Sequence, residues 1–223
     1  MLAAPPTKCG VPKQRSTHSV DVKSAGLREQ LLRILKGKSV HRGTFTLASG
    51  AQSDLYIDAK ETTSDPEGLI LVGRVGWQLV KDTAARLQVR VDSIGGLTIG
   101  ADSIASSIGI FARLEDPCSK LQTFIVRKEA KTHGRHKLIE GNFASGHSVV
   151  IVDDVVTTGG STLQAIDAIK AAGGQIAFVI VLVDREEGGR KNIEQRGHTV
   201  VPIFSRADLI GTDAPRRSHI AVA

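Results

Sequence analysis

One window of the sequence constrains the fold more than any other, the segment from Val149 to Thr162. It opens with a β-branched apolar run, which predicts a strand that is buried on both faces. Two adjacent acids, Asp153 and Asp154, follow this run, and a loop of Thr, Gly and Ser leads into a helical pattern that ends near Ala172. The segment therefore predicts a strand, a loop and a helix in direct succession, the repeating unit of a parallel sheet.

The residue types in this window suit a ligand that carries both a phosphate and a sugar. Small residues let the backbone close around an anion, and N–H groups at a helix N-terminus donate to phosphate oxygens. The acids fit a different partner, because carboxylates accept hydrogen bonds from sugar hydroxyls or help to hold a cation. A ribose phosphate meets both needs. The alternative is an ordinary βα turn whose acids cap the helix.

The positive charge of the chain is concentrated at its N-terminus. Of the 29 Lys or Arg and 23 Asp or Glu, residues 1–40 contain eight and two, so residues 41–223 hold 21 of each. The net charge of +6 therefore does not indicate a nucleic-acid surface on the globular part. Residues 1–24 are rich in Pro, Lys, Ser and Thr without periodicity. We predict a disordered basic arm there and a single domain over residues 25–223.

The composition excludes a membrane-spanning segment and argues against a secreted protein. No apolar run reaches the length that spans a bilayer, and the N-terminus lacks the apolar core of a secretory signal. Two cysteines, Cys9 and Cys118, lie far apart and outside any metal-binding pattern. We expect both to be reduced thiols in a cytosolic protein.

Alternating patterns along the chain predict an α/β fold, a doubly wound and mostly parallel sheet with helices on both faces. The predicted helices cover residues 27–37, 66–86, 102–113, 163–172 and 189–196. The predicted strands cover residues 45–47, 55–57, 91–95, 123–126, 149–152, 176–183 and 200–204. Ligands of such sheets bind at the carboxyl ends of strands. Four polar segments fall at these ends: Gly95–Ala101, Arg127–Gly134, Asp153–Ser161 and Asp184-Arg185.

The segment from Arg127 to Lys137 is the second strong signal. It holds five cations and two histidines against one acid, and it directly follows a predicted strand. Charge runs are often solvated faces. In an otherwise neutral domain, however, mutual repulsion keeps such a loop extended until an anion such as a diphosphate orders it, as in a loop that closes over substrate. We find no interleaved aromatic residues for base stacking.

Two further segments are ambiguous by themselves. The glycines of Gly95–Ala101 allow close backbone approach to a ligand, but they suit a structural turn equally well. Arg185 follows an apolar strand, and its guanidinium is able to hold a planar carboxylate or heterocycle through two parallel hydrogen bonds. A surface ion pair with Asp184 is the alternative.

Taken together, these residues resemble the type I phosphoribosyltransferases. The segment at residues 153–161, Asp-Asp-Val-Val-Thr-Thr-Gly-Gly-Ser, resembles their loop for phosphoribosyl diphosphate (PRPP). The segment at residues 127–134, Arg-Lys-Glu-Ala-Lys-Thr-His-Gly, resembles the mobile catalytic loop of the orotate phosphoribosyltransferases in particular. Residues 45–50 and 56–58 resemble the N-terminal segment of that family. The resemblance covers about residues 27–209 and implies a small N-terminal hood over the sheet.

The resemblance implies a role for each matching residue. Asp153 and Asp154 are expected to accept hydrogen bonds from the ribose hydroxyls, and Thr157 and Arg185 to contact orotate. Lys131 and His133, with the two acids, form the expected catalytic set. The expected PRPP-binding residues are Arg127, Lys128, Lys131, His133, Asp153, Asp154, Val155, Val156, Thr157, Thr158, Gly159, Gly160 and Ser161.

The resemblance further implies a cytoplasmic homodimer with shared active sites. Mg²⁺ is the expected cofactor, held mainly by PRPP rather than directly by the protein. No nucleic acid or membrane partner is expected. Two positions depart from many family members, because Ala48 and Ile99 stand in regions where those members carry Lys. Two diphosphate contacts are therefore missing or replaced.

The expected reaction transfers ribose 5-phosphate from PRPP to orotate in pyrimidine biosynthesis. It needs no protein nucleophile, and we find no Ser/His/Asp or Cys/His order that indicates one. Two alternatives remain from the sequence. One is a type I phosphoribosyltransferase that acts on another base, and the other is a PRPP-sensing regulator with the same fold.

Overall fold

The computed structural model describes residues 18–46, 52–129 and 138–211. Helices and strands alternate through this part of the chain, as the sequence predicts. The helices are α1 (His18–Lys38), α2 (Lys60–Thr63), α3 (Pro66–Leu87), α4 (Gly100–Glu115), α5 (Gly160–Ala171), α6 (Gly189–Gln195) and α7 (Arg206–Ile210). The strands are β1 (Val40–Thr46), β2 (Gln52–Ile57), β3 (Ser93–Leu97), β4 (Gln122–Val126), β5 (Ile139–Gly141), β6 (Ser148–Val156), β7 (Gln175–Asp184) and β8 (Val200–Ser205).

The main sheet has six strands in the order β5-β4-β3-β6-β7-β8. Its neighbouring strands are parallel except for β4 and β5, which confirms the doubly wound, mostly parallel sheet. Strands β1 and β2 form a separate antiparallel pair. The order of the strands along the chain reverses between β3 and β6, and ligands of open α/β sheets bind at such a reversal.

Side chains alternate along the central strands between two apolar cores. On β6, Val150 and Val152 pack with α1, α3 and α4, whereas Val149 and Ile151 pack with α5 and α6. This alternation explains why β6 reads as a continuous apolar run, since both of its faces are covered. Among the described residues, no helix is long and apolar enough to cross a membrane.

Two of the predicted element boundaries are wrong. The first helix begins at His18, so residues 18–24, which we assigned to the arm, are helical; the division into an arm and one domain stays a prediction. Residues 95–97 belong to β3 rather than to a turn. Their glycines serve close packing, because a Cβ on Gly95 would lie 2.2 Å from the carbonyl oxygen of Phe124 and one on Gly96 would lie 2.0 Å from that of Val152.

The expectation of a reduced thiol is also wrong for Cys118. This residue lies in the exposed turn that follows α4 and is disulfide-bonded. Cys9 lies outside the described residues.

Candidate active site

The loop that joins β6 to α5 lies at the reversal point of the sheet. Its last residue, Gly159, has a left-handed backbone conformation with a φ of 85°, and no side chain caps the helix that follows. The N–H groups of residues 157–159 donate to no acceptor in the described part of the chain. Because the first N–H groups of a helix have no partner within that helix, this end of α5 is suited to bind an anion.

Helix α6 holds the loop between β6 and α5 in place through hydrogen bonds to its carbonyl groups. The Gly189 N–H donates to the carbonyl oxygen of Thr157 at 2.8 Å, and Nδ2 of Asn192 donates to that of Thr158 at 2.9 Å. A trans peptide directs its N–H away from its C=O. The two carbonyl groups therefore point to α6, and the N–H groups of the same peptides point away from those carbonyl groups. Sequence reasoning missed this support, since it joins residues that are about thirty positions apart.

The two acids at the end of β6 have different surroundings. Asp153 is 6% exposed and accepts hydrogen bonds from Oγ1 of Thr162 at 2.7 Å and from the N–H of Asp154 at 3.0 Å. Burial raises the pKa of Asp153 to about 7, although the Thr162 hydroxyl opposes this shift. The Asp153 carboxyl group thus ties the end of β6 to the first turn of α5.

Asp154 is half-buried and is the more accessible of the two acids. One of its oxygens accepts a hydrogen bond from the N–H of Val155 at 2.7 Å. Its carboxylate lies against the start of α4, where a Cβ on Gly100 would come within 2.6 Å of Oδ1. The glycine at position 100 therefore makes room for an acid rather than for a ligand.

A lysine of the N-terminal region faces this acid pair, and sequence reasoning missed it. Lys60 begins α2, and its Nζ lies 3.1 Å from Oδ1 of Asp58. Burial alone lowers the pKa of Lys60, but the hydrogen bond to Asp58 and the charge of Asp154 raise it above its ordinary value. From the sequence, residues 56–58 were noted for a strand and for their resemblance to the family's N-terminal segment, and Lys60 was not considered.

Of the basic segment, residues 127–137, the structure describes the first three, and the description resumes at Leu138. Nε2 of Gln164, on α5, donates a hydrogen bond to the carbonyl oxygen of Lys128 at 3.1 Å. This bond holds the start of the basic segment beside the first turns of α5. The Arg127 guanidinium lies 3.8 Å from Oε1 of Glu140. The predicted catalytic residues Lys131 and His133 lie outside the described residues.

Arg185 leaves the sheet beside Thr157, because its N–H donates to the carbonyl oxygen of Val156 at 3.0 Å. Its side chain is 5% exposed. Nη2 donates to the carbonyl oxygen of Leu55 on β2 at 3.3 Å and lies 2.7 Å from Oε1 of Glu187. The sequence left open whether Arg185 binds a ligand or forms a surface ion pair; in the structure it is buried, pairs with Glu187 and connects the sheet to β2.

The structure brings together most of the predicted PRPP residues whose positions it describes. Val155 and Val156 end β6, Gly160 and Ser161 begin α5, and the loop between them consists of Thr157, Thr158 and Gly159. Ile99, one of the two departures, precedes α4 and is 72% exposed, while Ala48 lies outside the described residues. Within the described ranges, no group of three or more His, Cys, Asp or Glu could hold a metal ion.

Comparisons with known proteins agree with this geometry. Residues 110–203 match the family model of the phosphoribosyl transferase domain. The orotate phosphoribosyltransferase of Aquifex aeolicus is 40% identical over 186 residues, which cover 82% of this chain and 97% of that protein. The chain belongs to the orotate phosphoribosyltransferases.

Solved structures of this family have the same fold. The orotate phosphoribosyltransferase of Mycobacterium tuberculosis in complex with Fe(III) dicitrate superposes with a TM-score of 0.70 at 35% identity, over 82% of this chain and 99% of that one. The same enzyme in complex with PRPP gives a TM-score of 0.67 at 32% identity, over 82% and 98% of the two chains. These relatives favour the orotate enzyme over both alternatives left by the sequence.

Proposed function

We propose that this orotate phosphoribosyltransferase transfers ribose 5-phosphate from PRPP to a ring nitrogen of orotate. The products are orotidine 5′-monophosphate and diphosphate, and the reaction belongs to pyrimidine biosynthesis in the cytoplasm. The uncapped N-terminus of α5, which lies beside an acid pair at the sheet's reversal point, carries the proposal. It offers N–H donors for a phosphate and carboxylate acceptors for ribose hydroxyls in one place.

The PRPP site is proposed to divide between backbone and side chains. Residues 155–161 wrap the 5′-phosphate through their N–H groups and hydroxyls. Asp153 and Asp154 accept hydrogen bonds from the ribose hydroxyls. The half-buried carboxylate of Asp154 is the better placed of the two, because Asp153 already accepts two hydrogen bonds from the protein. Asp153 therefore contributes to binding largely by fixing the loop.

The diphosphate is proposed to bind the basic segment. Arg127, Lys128, Lys131 and His133 supply positive charge where negative charge develops as the leaving group departs. The bond from the anomeric carbon to the diphosphate oxygen breaks as the orotate nitrogen forms its bond to that carbon. Asp153 and Asp154 lie near the oxocarbenium-like centre and favour its positive charge.

We propose that Mg²⁺ reaches the site bound to PRPP. The described residues form no cluster of metal ligands, and the two acids are engaged with Thr162, Gly100 and backbone N–H groups. This donor set suits an ion whose ligands are mainly the oxygens of the substrate. The ion supplies charge neutralisation at the diphosphate.

Orotate is proposed to bind between Thr157 and Arg185. These residues leave neighbouring strands side by side, next to the carbonyl group of Leu55. A buried guanidinium offers planar, directional donors to the ring edge. The contact of Arg185 with Leu55 supports a base site beside β2.

We also propose a homodimer in which the basic segment reaches the partner's site. The outer face of α4 supports this proposal, because Ile110 and Leu114 are exposed there, the latter to 68%. Exposed apolar side chains of this size favour burial against another chain. Sedimentation of the purified protein should give twice the chain mass of 23.7 kDa. A stable monomer at micromolar concentration would contradict the shared site.

The direct test of the reaction is the loss of orotate absorbance in the presence of PRPP and Mg²⁺. We expect turnover of orotate and none of uracil, adenine or hypoxanthine under the same conditions. The Arg185→Ala variant should raise the KM for orotate far more than that for PRPP. Preferential turnover of a purine would refute the proposed substrate, and equal effects on both KM values would refute the assignment of Arg185.

A further inference from the structure

The turn that follows β7 holds an acid against the proposed base-binding arginine. Oδ1 of Asp184 accepts a hydrogen bond from the N–H of Glu186 at 2.8 Å, and Glu186 has a left-handed backbone conformation with a φ of 57°. This conformation is unfavourable for a residue other than glycine. The left-handed conformation of Glu186 turns the chain, and the side chain of the next residue, Glu187, contacts that of Arg185.

The contact of Arg185 with Glu187 is short and involves one nitrogen of the guanidinium, Nη2. Oε1 of Glu187 lies 2.7 Å from Nη2 of Arg185, and Nη2 also donates to the carbonyl oxygen of Leu55 at 3.3 Å. A guanidinium is planar, so the ion pair with Glu187 and the hydrogen bond to Leu55 together restrict the orientation of its plane. The two acceptors come from different parts of the fold, the turn after β7 and strand β2.

Burial makes this pairing energetically important. The side chain of Arg185 is 5% exposed, whereas that of Glu187 is 36% exposed. A buried cation requires a counter-charge, and a charged acceptor forms a stronger hydrogen bond than a neutral one. Without Glu187, the guanidinium would lose a charged partner at 2.7 Å that restricts its orientation.

We propose that Glu187 is a positioning residue for orotate, which acts by fixing the orientation of the Arg185 guanidinium. This inference rests on the proposed function, in which Arg185 binds the base. Under this proposal, the orientation in which Arg185 recognises orotate depends on both Glu187 and the carbonyl group of Leu55. Glu187 itself does not contact the substrate.

The test compares Glu187→Gln and Glu187→Ala with the matched control Glu186→Gln, which removes the same charge one position earlier. We expect Glu187→Ala to raise the KM for orotate about tenfold and Glu187→Gln, which keeps an acceptor oxygen, to raise it about threefold. The KM for PRPP should change less than twofold in both variants. Glu186→Gln should behave as the wild type.

A double-mutant cycle separates positioning from a general loss of structure. In an Arg185→Ala background, Glu187→Ala should have no further effect on the KM for orotate, because the residue acts through the arginine. An unchanged orotate KM in Glu187→Ala, a parallel rise of both KM values, or a fall in the orotate KM would each overturn the inference. If Arg185→Ala alone leaves the orotate KM unchanged, the proposed base site fails instead.

Discussion

Two helices begin at the carboxyl edge of the sheet, and their N-termini differ in the charges around them. Helix α4 begins at Gly100 with the carboxylate of Asp154 against it and with Asp102 in its first turn. Helix α5 begins at Gly160 with no acid in its first turn, and neither helix has a side-chain cap. The N-terminus of a helix attracts negative charge. Acids thus lie at the start of α4, whereas the start of α5 is the end that we propose to bind a phosphate.

The comparison shows how one acid pair serves two neighbouring helices. Asp154 lies at the start of α4, whereas Asp153 binds Thr162 in the first turn of α5. Neither carboxylate blocks the N–H groups of the loop at residues 157–159. Under the proposed assignment, the absence of acids at the start of α5 matters for phosphate binding as much as the presence of N–H donors.

The largest effect is expected when an acid is introduced at the open helix. A Cβ on Gly160 would meet only Oγ1 of Thr158, at 3.9 Å, so a side chain fits there. We expect Gly160→Asp to raise the KM for PRPP by about 100-fold, because its charge opposes the bound phosphate. Gly160→Asn has the same shape without the charge and should raise this KM by less than about tenfold. Steady-state kinetics at saturating orotate make the comparison, and similar values for the two variants would contradict it.

A smaller effect on the KM for PRPP is expected when the contact between α6 and the loop at residues 157–159 is disturbed. A Cβ on Gly189 would lie 2.5 Å from the carbonyl oxygen of Thr157, so Gly189→Ala must displace the loop. We expect about a tenfold rise in the KM for PRPP. Gly37→Ala is the control, since a Cβ on Gly37 meets no atom within 4 Å. An unaltered KM in Gly189→Ala would show that α6 does not set the geometry of the loop.

The third prediction concerns the buried acid that joins β6 to α5. The folded-state pKa of Asp153 is raised to about 7 by burial. A raised carboxyl pKa stabilises the folded state at low pH, and this contribution is lost as the pH rises through 7. We expect Asp153→Asn to raise the Tm at pH 8 by a few degrees and to change it less at pH 5. A thermal melt series checks this, and an equal shift at both pH values would contradict the assignment.

The smallest effect on the KM for PRPP is expected when the charge of an acid at the start of α4 is removed. Asp102 accepts a hydrogen bond from Oγ1 of Thr98 at 2.7 Å, within the first turn of α4. Asp102→Asn keeps this acceptor and removes the charge. We expect the KM for PRPP to change less than twofold and the Tm to fall by a degree or two. A strong gain in PRPP binding would mean that α4 competes with α5 as the phosphate site.

The sequence predicts the parts of the site that are local in the chain. The strand, loop and helix of residues 149–171 are continuous, so the apolar run and the small residues indicate them directly. Arg185 was found because it follows an apolar strand. Its contacts with Leu55 and Glu187 were not found, since the first joins residues 130 positions apart and the second depends on the left-handed turn at Glu186.

Other features depend on packing that no local pattern reports. The glycines at positions 95 and 96 suited a ligand loop as well as a strand, and only the adjacent carbonyl groups of Phe124 and Val152 decide for the strand. Lys60 was overlooked because its proximity to Asp154 arises when α2, which carries it, packs against α3 and α4. The fold class was predictable, whereas the electrostatic difference between α4 and α5 required the structure.

The central claim is that the N-terminus of α5, and not that of α4, binds the substrate phosphate. Backbone amide resonances of the isotope-labelled protein should be followed during a titration with ribose 5-phosphate. We predict large shifts at residues 157–161 and none at residues 100–102, with the former abolished in Gly160→Asp. Equal shifts at both helices, or shifts at residues 100–102 alone, would contradict the account.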